Sequence, residues 1–508
     1  IRYSCLYRIS YKLDILFEWH IRLSHHSYSY RNFIFLGYIR IYLQTYIRLY
    51  YFYGFVHIIS IQHDNRIHVN HCTVSSCMNI HILGIAGTFM SGIAILAKKK
   101  GHHVTGSDSA CYDPIKTILK KQNISIIKGH HIKDVKNKDL VIIGNVMSRG
   151  NKVIEYILKN NINFTSGPAW LYENILKKKK VIAVSGTHGK TTTTSMIVHI
   201  LKKSNYNPSY LIGGSPKGRF NSVALTSSEY FVIEADEYDT AFFDKRSKFI
   251  HYCPTIAIIN NIEYDHADIF ENIEAVIKSF HHMVRLIPSN GSLIINNNDA
   301  NIKKLLKHGI WSKLIKIGTK KSLGDFSLMG GNKDLLKYAN KKFPLPENII
   351  GEHNYMNAVT AIATCNELKI PIRSQIKALS CFKGVNRRMD FIGEINSMKI
   401  YDDFAHHPTA IKASVYSMKQ KYKKKRLLTI LVPGSNSMTL GVHNKELLSS
   451  LKLSDKALVL SEKREIKRLF KNNIKINVIE CESQIGHYLD CENNFDVILI
   501  LSNKSTEN

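Results

Sequence analysis

One stretch constrains this chain more than any other: Val181-Ile-Ala-Val184, then Ser185-Gly186-Thr-His-Gly189-Lys190-Thr191-Thr192-Thr193, then the apolar run Met196 to Leu201. A buried strand, a glycine-rich turn, Lys-Thr and a helix in that order is how a chain cradles phosphate. Backbone amides and the lysine ammonium meet the negative charge, and a threonine hydroxyl is placed to ligate Mg²⁺. The first glycine of the usual eight-residue form is replaced by Val184. ATP binding is expected, with Gly186, Thr187, His188, Gly189, Lys190, Thr191 and Thr192 around the nucleotide and Lys190 on a solvent-facing loop.

Such a loop sits in an α/β sheet, and sheets of this kind place acids and histidines at the carboxyl ends of their strands. Two clusters follow the pattern. Phe231-Val-Ile233 leads into Glu234-Ala-Asp236-Glu237, and Ile256 to Ile259 leads into Asn260-Asn261-Ile-Glu263-Tyr-Asp265-His266-Ala-Asp268. Helix caps explain any one of these acids, but not readily both clusters behind a phosphate loop. Mg²⁺ takes oxygen ligands and keeps waters, so a carboxylate beside nucleotide phosphates suits it.

Upstream, Ile80 to Leu83 reads as a strand, Gly84, Gly87 and Gly92 surround a turn into a helix over Ile93–Lys100, and a second strand ends at Asp108. This β–turn–α–β–acid order binds nucleotides. The spacing is not G-x-G-x-x-G, and a merely structural tight turn accounts for it equally well. Downstream, Gly351-Glu-His353-Asn354 opens an Ala-rich helix. Gly384-Val-Asn-Arg387-Arg388-Met-Asp390 precedes a strand, and Tyr401-Asp402-Asp403-Phe-Ala-His406-His407-Pro408-Thr409 ends one. His406 and His407 invite a metal reading, but adjacent residues on regular elements point apart.

A length of 508 residues predicts about three domains. The 70 Lys+Arg against 40 Asp+Glu leave a formal charge of +30, which raises the question of a polyanion partner. The lysines fall in short runs at helix-like ends, such as Lys98-Lys99-Lys100 and Lys177 to Lys180, with no basic stripe interleaved with aromatics. Solvated surfaces, and no nucleic-acid partner, are the expectation. Nine scattered cysteines with no C-x-x-C pair argue for reduced thiols and a cytoplasmic protein.

Residues 1–77 differ from the rest: they hold 11 of the 26 Tyr, seven Arg to one Lys, and no Ala, Pro or Met. Arg22, Arg31, Arg40 and Arg48 recur too often for membrane insertion, and no secretory signal is recognisable. An upstream extension ahead of a start at Met78 is expected.

From Met78 to about Leu501 the motifs resemble, in order, those of the Mur ligase family, the ATP-dependent amide-forming enzymes of peptidoglycan synthesis. The resemblance rests on Gly186-Thr-His-Gly-Lys-Thr-Thr192, Glu234-Ala-Asp-Glu237, Asp265-His-Ala-Asp268, Gly351-Glu-His-Asn354, Arg387-Arg-Met-Asp390 and Asp402-Asp-Phe-Ala-His-His-Pro-Thr409. It implies an α/β protein of three domains: a Rossmann-like UDP-binding domain (78–178), a central P-loop ATPase (179–380) and a C-terminal Rossmann-like acceptor domain (381–508). It also implies that ATP activates a carboxylate as an acyl phosphate, which an amine then attacks.

Two branches share UDP-N-acetylmuramate as donor, one adding L-alanine and the other the tripeptide L-alanyl-γ-D-glutamyl-meso-diaminopimelate in cell-wall recycling. Gly84-Ile-Ala-Gly-Thr-Phe-Met-Ser-Gly92, Ser166-Gly-Pro-Ala-Trp170 and the run from Glu237 to Pro254 resemble the tripeptide branch. Carried over by position, Lys190 holds the transferred phosphate, and Thr191, Glu234 and His266 hold Mg²⁺. Asn354, Arg388 and Asp403 serve the nucleotide. Gly84, Gly87, Thr88, Gly92, Asp108 and Asn436 serve the substrates, and His406 and His407 line the reaction cleft. The branch usually reads Pro-Arg-Ser-Asn where this chain has Pro433-Gly434-Ser435-Asn436, and it continues beyond Ser502-Asn503 into a closing helix. The competing expectations are the alanine-adding ligase and, given these departures, a catalytically silent nucleotide-binding remnant.

Overall fold

The computed structural model describes 48–52, 55–61 and 67–72, and then 77–503 except 219–220, 331–333, 435–437, 439–443, 472 and 493. It divides into two compact units, Ile1–Cys77 and Met78–Asn508. In the first, β1 (Arg48–Phe52), β2 (Phe55–Ile61) and β3 (Ile67–Cys72) pair antiparallel in that order.

The second unit carries three further large sheets. β4 (Asn79–Leu83), β5 (His103–Asp108), β6 (Ser125–Lys128), β7 (Leu140–Ile143) and β8 (Phe164–Ser166) form a parallel sheet of order β6-β5-β4-β7-β8. This is the strand order of a nucleotide-binding half, which reverses beside its first strand. Helix α1 (Thr88–Lys99) follows β4 and starts earlier than the expected Ile93, because Gly87 takes the extended N-cap position.

The central sheet has ten strands. β9 (Lys180–Ser185) lies between β12 (Tyr230–Glu234) and β15 (Ile256–Ile259), and all three are parallel. β10 (Ser209–Leu211) and β11 (Val223–Ala224) complete one side, with a small hairpin of β13 (Asp239–Ala241) and β14 (Asp244–Ser247) outside the sheet. β16 (Ser292–Asn296), β17 (Lys313–Thr319), β18 (Phe326–Met329), β19 (Leu335–Tyr338) and β20 (Lys341–Pro344) extend the other side, the last two antiparallel. The inner strands are continuous apolar runs because helices cover both faces. Helix α2 (Lys190–Lys203) leaves the phosphate loop and packs against α3 (Glu352–Glu367).

In the last domain, β21 (Asp390–Ile395) pairs antiparallel with β22 (Met398–Asp403), and β23 (Leu427–Val432), β24 (Lys456–Leu460), β25 (Ile476–Ile479) and β26 (Val497–Ser502) continue parallel in the order β21-β22-β26-β23-β24-β25. Helix α4 (Pro408–Lys421) follows β22.

The cores are shared unequally. One buried cluster runs from Ile80 and Trp170 through Leu211 and Phe231 to Leu305, so the first two domains are packed as one body. The buried core of the last domain draws only on residues from Met389 onward. Among the described residues no helix is long and apolar enough to cross a membrane.

Candidate functional site

β9 stops at Ser185, and the chain turns into α2 through Gly186 (φ +126°) and Gly189 (φ +80°). Neither position admits a side chain: a Cβ at Gly186 would crowd Asn260 and Asn261, and one at Gly189 would strike Asn357. Because β15 runs parallel beside β9, its end delivers Asn260 and Asn261 to this loop. The His188 amide donates to Asn261 Oδ1 at 2.7 Å, and Asn260 Nδ2 donates to Thr193 Oγ1 at 3.2 Å. Neither asparagine was singled out as a site residue from sequence; their position after a strand flanking the phosphate loop was the available signal.

Lys190 corrects one expectation. It is the first residue of α2 and its side chain is only 14% exposed, so it does not face solvent. Its ammonium donates to Gly186 O at 2.7 Å and to Glu237 Oε2 at 3.0 Å, and Glu237 is 3% exposed. Burial is the largest single influence and disfavours both charges, but Glu237, Asp236 and Glu234 together outweigh it at Lys190, and Lys190 with His266 outweighs it at Glu237. Glu237 is held below the usual carboxylate range and Lys190 above its ordinary value. Glu237, which carries no assigned role in the sequence reading, also accepts from His266 Nε2 at 3.2 Å and lifts that imidazole's pKa against the effect of burial.

Thr191 Oγ1 donates to Glu234 Oε1 at 2.8 Å, while Glu234 Oε2 accepts from the Gly213 amide at 2.7 Å. Burial pushes the Glu234 carboxyl above its ordinary value despite Lys190 and these donors. A desolvated carboxylate beside a threonine hydroxyl, with Asp236 and Glu237 near, is an oxygen-rich donor set that fits Mg²⁺. His266 is engaged with Glu237 in this structure.

The last domain closes the other side of a cavity of about 740 Å³, within the range of small-molecule sites. Lys190, Thr191, Glu234, His266, Asn354, Arg388, Asp403 and His406 all line it. Arg388 reaches across to Thr191 Oγ1 at 3.4 Å and stacks 4.8 Å from the Phe404 ring. Asp403 is committed to its own domain, accepting from the Met389 amide at 2.6 Å and the Ala405 amide at 2.9 Å. Asn354 donates to Ile350 O at 2.8 Å.

His406 and His407 diverge. Burial lowers the pKa of His406, whose Nδ1 lies 2.9 Å from Phe404 O. His407 is buried at the N-cap of α4 and turns to Glu263, its Nδ1 3.3 Å from Oε2. Glu263 Oε2 also accepts from Thr409 Oγ1 at 2.7 Å and lies 3.5 Å from His188 Nε2. Burial pushes this carboxyl up, but His188, Thr409 and His407 together bring it down to about 2.

Gly84, Gly87, Thr88, Gly92 and Asp108 lie outside this cavity's lining. Gly84 turns with φ +77°, and Asp108 Oδ2 accepts the Ala86 amide at 2.9 Å, so the acid braces the turn. Gly92 lies inside α1, where a Cβ would overlap Leu211 of β10; its visible role is close packing against the central domain. Asn436 lies outside the described residues.

Residues 79–179 match the Mur ligase family catalytic domain, residues 184–365 the Mur ligase middle domain, and residues 387–503 the Mur ligase glutamate ligase domain. The chain belongs to the Mur ligase family. This Mur ligase is 44% identical over 391 residues to the UDP-N-acetylmuramate–L-alanyl-γ-D-glutamyl-meso-2,6-diaminoheptandioate ligase of Escherichia coli K12, covering 75% of the chain and 85% of that protein. A murein peptide ligase of Psychrobacter arcticus 273-4 superposes with a TM-score of 0.67 at 37% identity, covering 84% of this chain and 96% of that one. A UDP-N-acetylmuramate–L-alanine ligase of Caldicellulosiruptor bescii is 34% identical over 390 residues, covering 74% of the chain and 82% of that protein.

Proposed function

We propose that this Mur ligase joins the tripeptide L-alanyl-γ-D-glutamyl-meso-diaminopimelate to UDP-N-acetylmuramate at the expense of ATP, in the cytoplasm, as a step of peptidoglycan recycling. The observation that carries the reading is the 44% identity to the Escherichia coli tripeptide ligase, against 34% to the alanine-adding enzyme. The cleft supplies the chemistry. ATP phosphorylates the lactyl carboxylate of the donor, the peptide α-amine attacks the acyl phosphate, and phosphate leaves.

Lys190, with the loop amides from Gly186 to Thr192, neutralises the transferred phosphate, moving its ammonium from Glu237 towards the phosphate oxygens. Thr191 and Glu234, with His266 once it is neutral and turned from Glu237, would hold Mg²⁺. When bound, the ion supplies charge neutralisation at phosphoryl oxygens. Asn354, Arg388 and Asp403 receive the nucleotide across the cleft, and the first domain takes the UDP end. His406, kept neutral by burial and with Nδ1 turned to Phe404 O, presents Nε2 as the acceptor for the amine's proton.

Phosphate release from ATP, measured with the full chain, Mg²⁺, UDP-N-acetylmuramate and either acceptor, tests this. Release with tripeptide and not with L-alanine is expected. Release with L-alanine alone replaces the reading by the alanine-adding activity, and ATP binding without release in either case makes the chain a remnant.

A further inference from the structure

Among the described residues one group of three side chains has the composition and spacing of a metal site: His188 of the phosphate loop, Glu263 beyond β15, and His407 at the head of α4. We infer that these residues form a binding site for a transition cation of the zinc class, separate from the oxygen-rich Mg²⁺ position, which bridges the central and last domains. Two imidazoles and one carboxylate suit zinc far better than magnesium.

The spacing supports this. A zinc ion about 2.0–2.1 Å from each ligand in a tetrahedron separates the ligand atoms by about 3.3–3.4 Å. Glu263 Oε2 lies 3.3 Å from His407 Nδ1 and 3.5 Å from His188 Nε2, and all three atoms fall within 4.8 Å of one another. Small rotations of the two rings, whose centroids are 4.9 Å apart, close the third edge.

His407 Nδ1 faces the Glu263 carboxylate at 3.3 Å, and its one lone pair would turn from the long 3.4 Å contact with the Thr409 amide to the cation. Supports are in place: the His188 amide is pinned by Asn261, the Glu263 amide donates to Thr187 Oγ1 at 2.9 Å, and Thr409 Oγ1 bonds the ligating oxygen. His188, Glu263 and Thr409 line the large cavity, which leaves a side open to water.

Titration of the full chain with Zn²⁺ and Co²⁺, without nucleotide and against a competing chelator, tests the site. The wild-type protein should bind one equivalent that is absent from His188→Ala, Glu263→Gln and His407→Ala. Thr409→Val, which removes an outer-shell partner, should weaken it roughly 10- to 100-fold. The Co²⁺ spectrum should be that of nitrogen and oxygen ligands without thiolate, and Zn²⁺ should raise the Tm of wild type but not of His407→Ala. His406→Ala and Glu234→Gln should retain the equivalent. An equivalent that survives loss of either His188 or His407, that disappears with Glu234→Gln, or that is never seen overturns the inference and leaves a protonated histidine–carboxylate clasp.

Discussion

Lys190 is paired before any nucleotide arrives, and this changes what its removal does. In Lys190→Ala, Glu237 loses its buried cation, and Asp236 loses one of the charges that hold its pKa down. Breaking a buried pair from one side costs about 3–5 kcal/mol. Acceptor-dependent phosphate release should vanish in this variant, and its urea midpoint should fall, whereas the solvent-facing loop expected from sequence implies loss of ligation with the fold intact. Adding Glu237→Gln to Lys190→Ala should recover part of the lost stability without restoring turnover. A midpoint unchanged in the single variant would show that the pair contributes nothing net. The loop was legible because glycines, lysine and threonines are neighbours in the chain. Glu237 was visible only as one of three acids in the run Glu234-Ala-Asp236-Glu237, because its pairing with Lys190 depends on how β12 lies against β9.

At the scale of elements, strand ends were readable from apolar runs that stop at polar side chains: β12 and β22 end at carboxylates, and β15 runs into Asn260 and Asn261 ahead of Glu263. What the pattern could not supply was partnership between distant strand ends. Glu263 and Thr409 meet across 146 residues, and no local period encodes that distance. Helix starts were also misplaced, at Ile93 and Met196 rather than Thr88 and Lys190, because glycine N-caps let each helix begin within its turn. On the proposed function, the loop after β23 would face the acceptor. Gly434 lines the cavity where the tripeptide branch usually carries arginine. A charge-assisted bond to a peptide carboxylate contributes about 1.5–3 kcal/mol. Gly434→Arg should therefore lower the apparent KM for tripeptide by roughly tenfold or more and leave that for ATP unchanged; steady-state kinetics with each substrate varied decide it.

At the scale of the whole molecule, the last domain is tied to the central one largely by polar contacts. Lys217 pairs with Asp390, the Asn386 amide donates to Ser215 O at 2.9 Å, and Glu263 gathers His188, His407 and Thr409. Polar interfaces of this kind permit domain motion, and this one titrates. Glu263 ionises near 2 in the folded protein, against an ordinary value of 4.5. On acidification the unfolded chain takes up the proton first, so the stabilisation is complete above about pH 5 and is lost as pH falls towards 2. Its size is about 3 kcal/mol. The Tm difference between wild type and Glu263→Gln should therefore be largest near pH 5, where the carboxylate is ionised and imidazoles carry charge, and shrink steadily as pH falls towards 2. A difference independent of pH would mean that the carboxylate's charge plays no part in the closure.

The unequal sharing of cores also has a hereditary consequence. No buried side chain of the last domain's core precedes Met389, whereas the first two domains cannot be separated without cutting through a common interior. A recombination event near the codon for Asn386 would exchange the last domain together with its own buried core and leave the common interior of the first two uncut. Exchange of the last domain is thus a single genetic step that cuts no shared interior, whereas exchange of either of the first two alone requires many compensated changes at their common core.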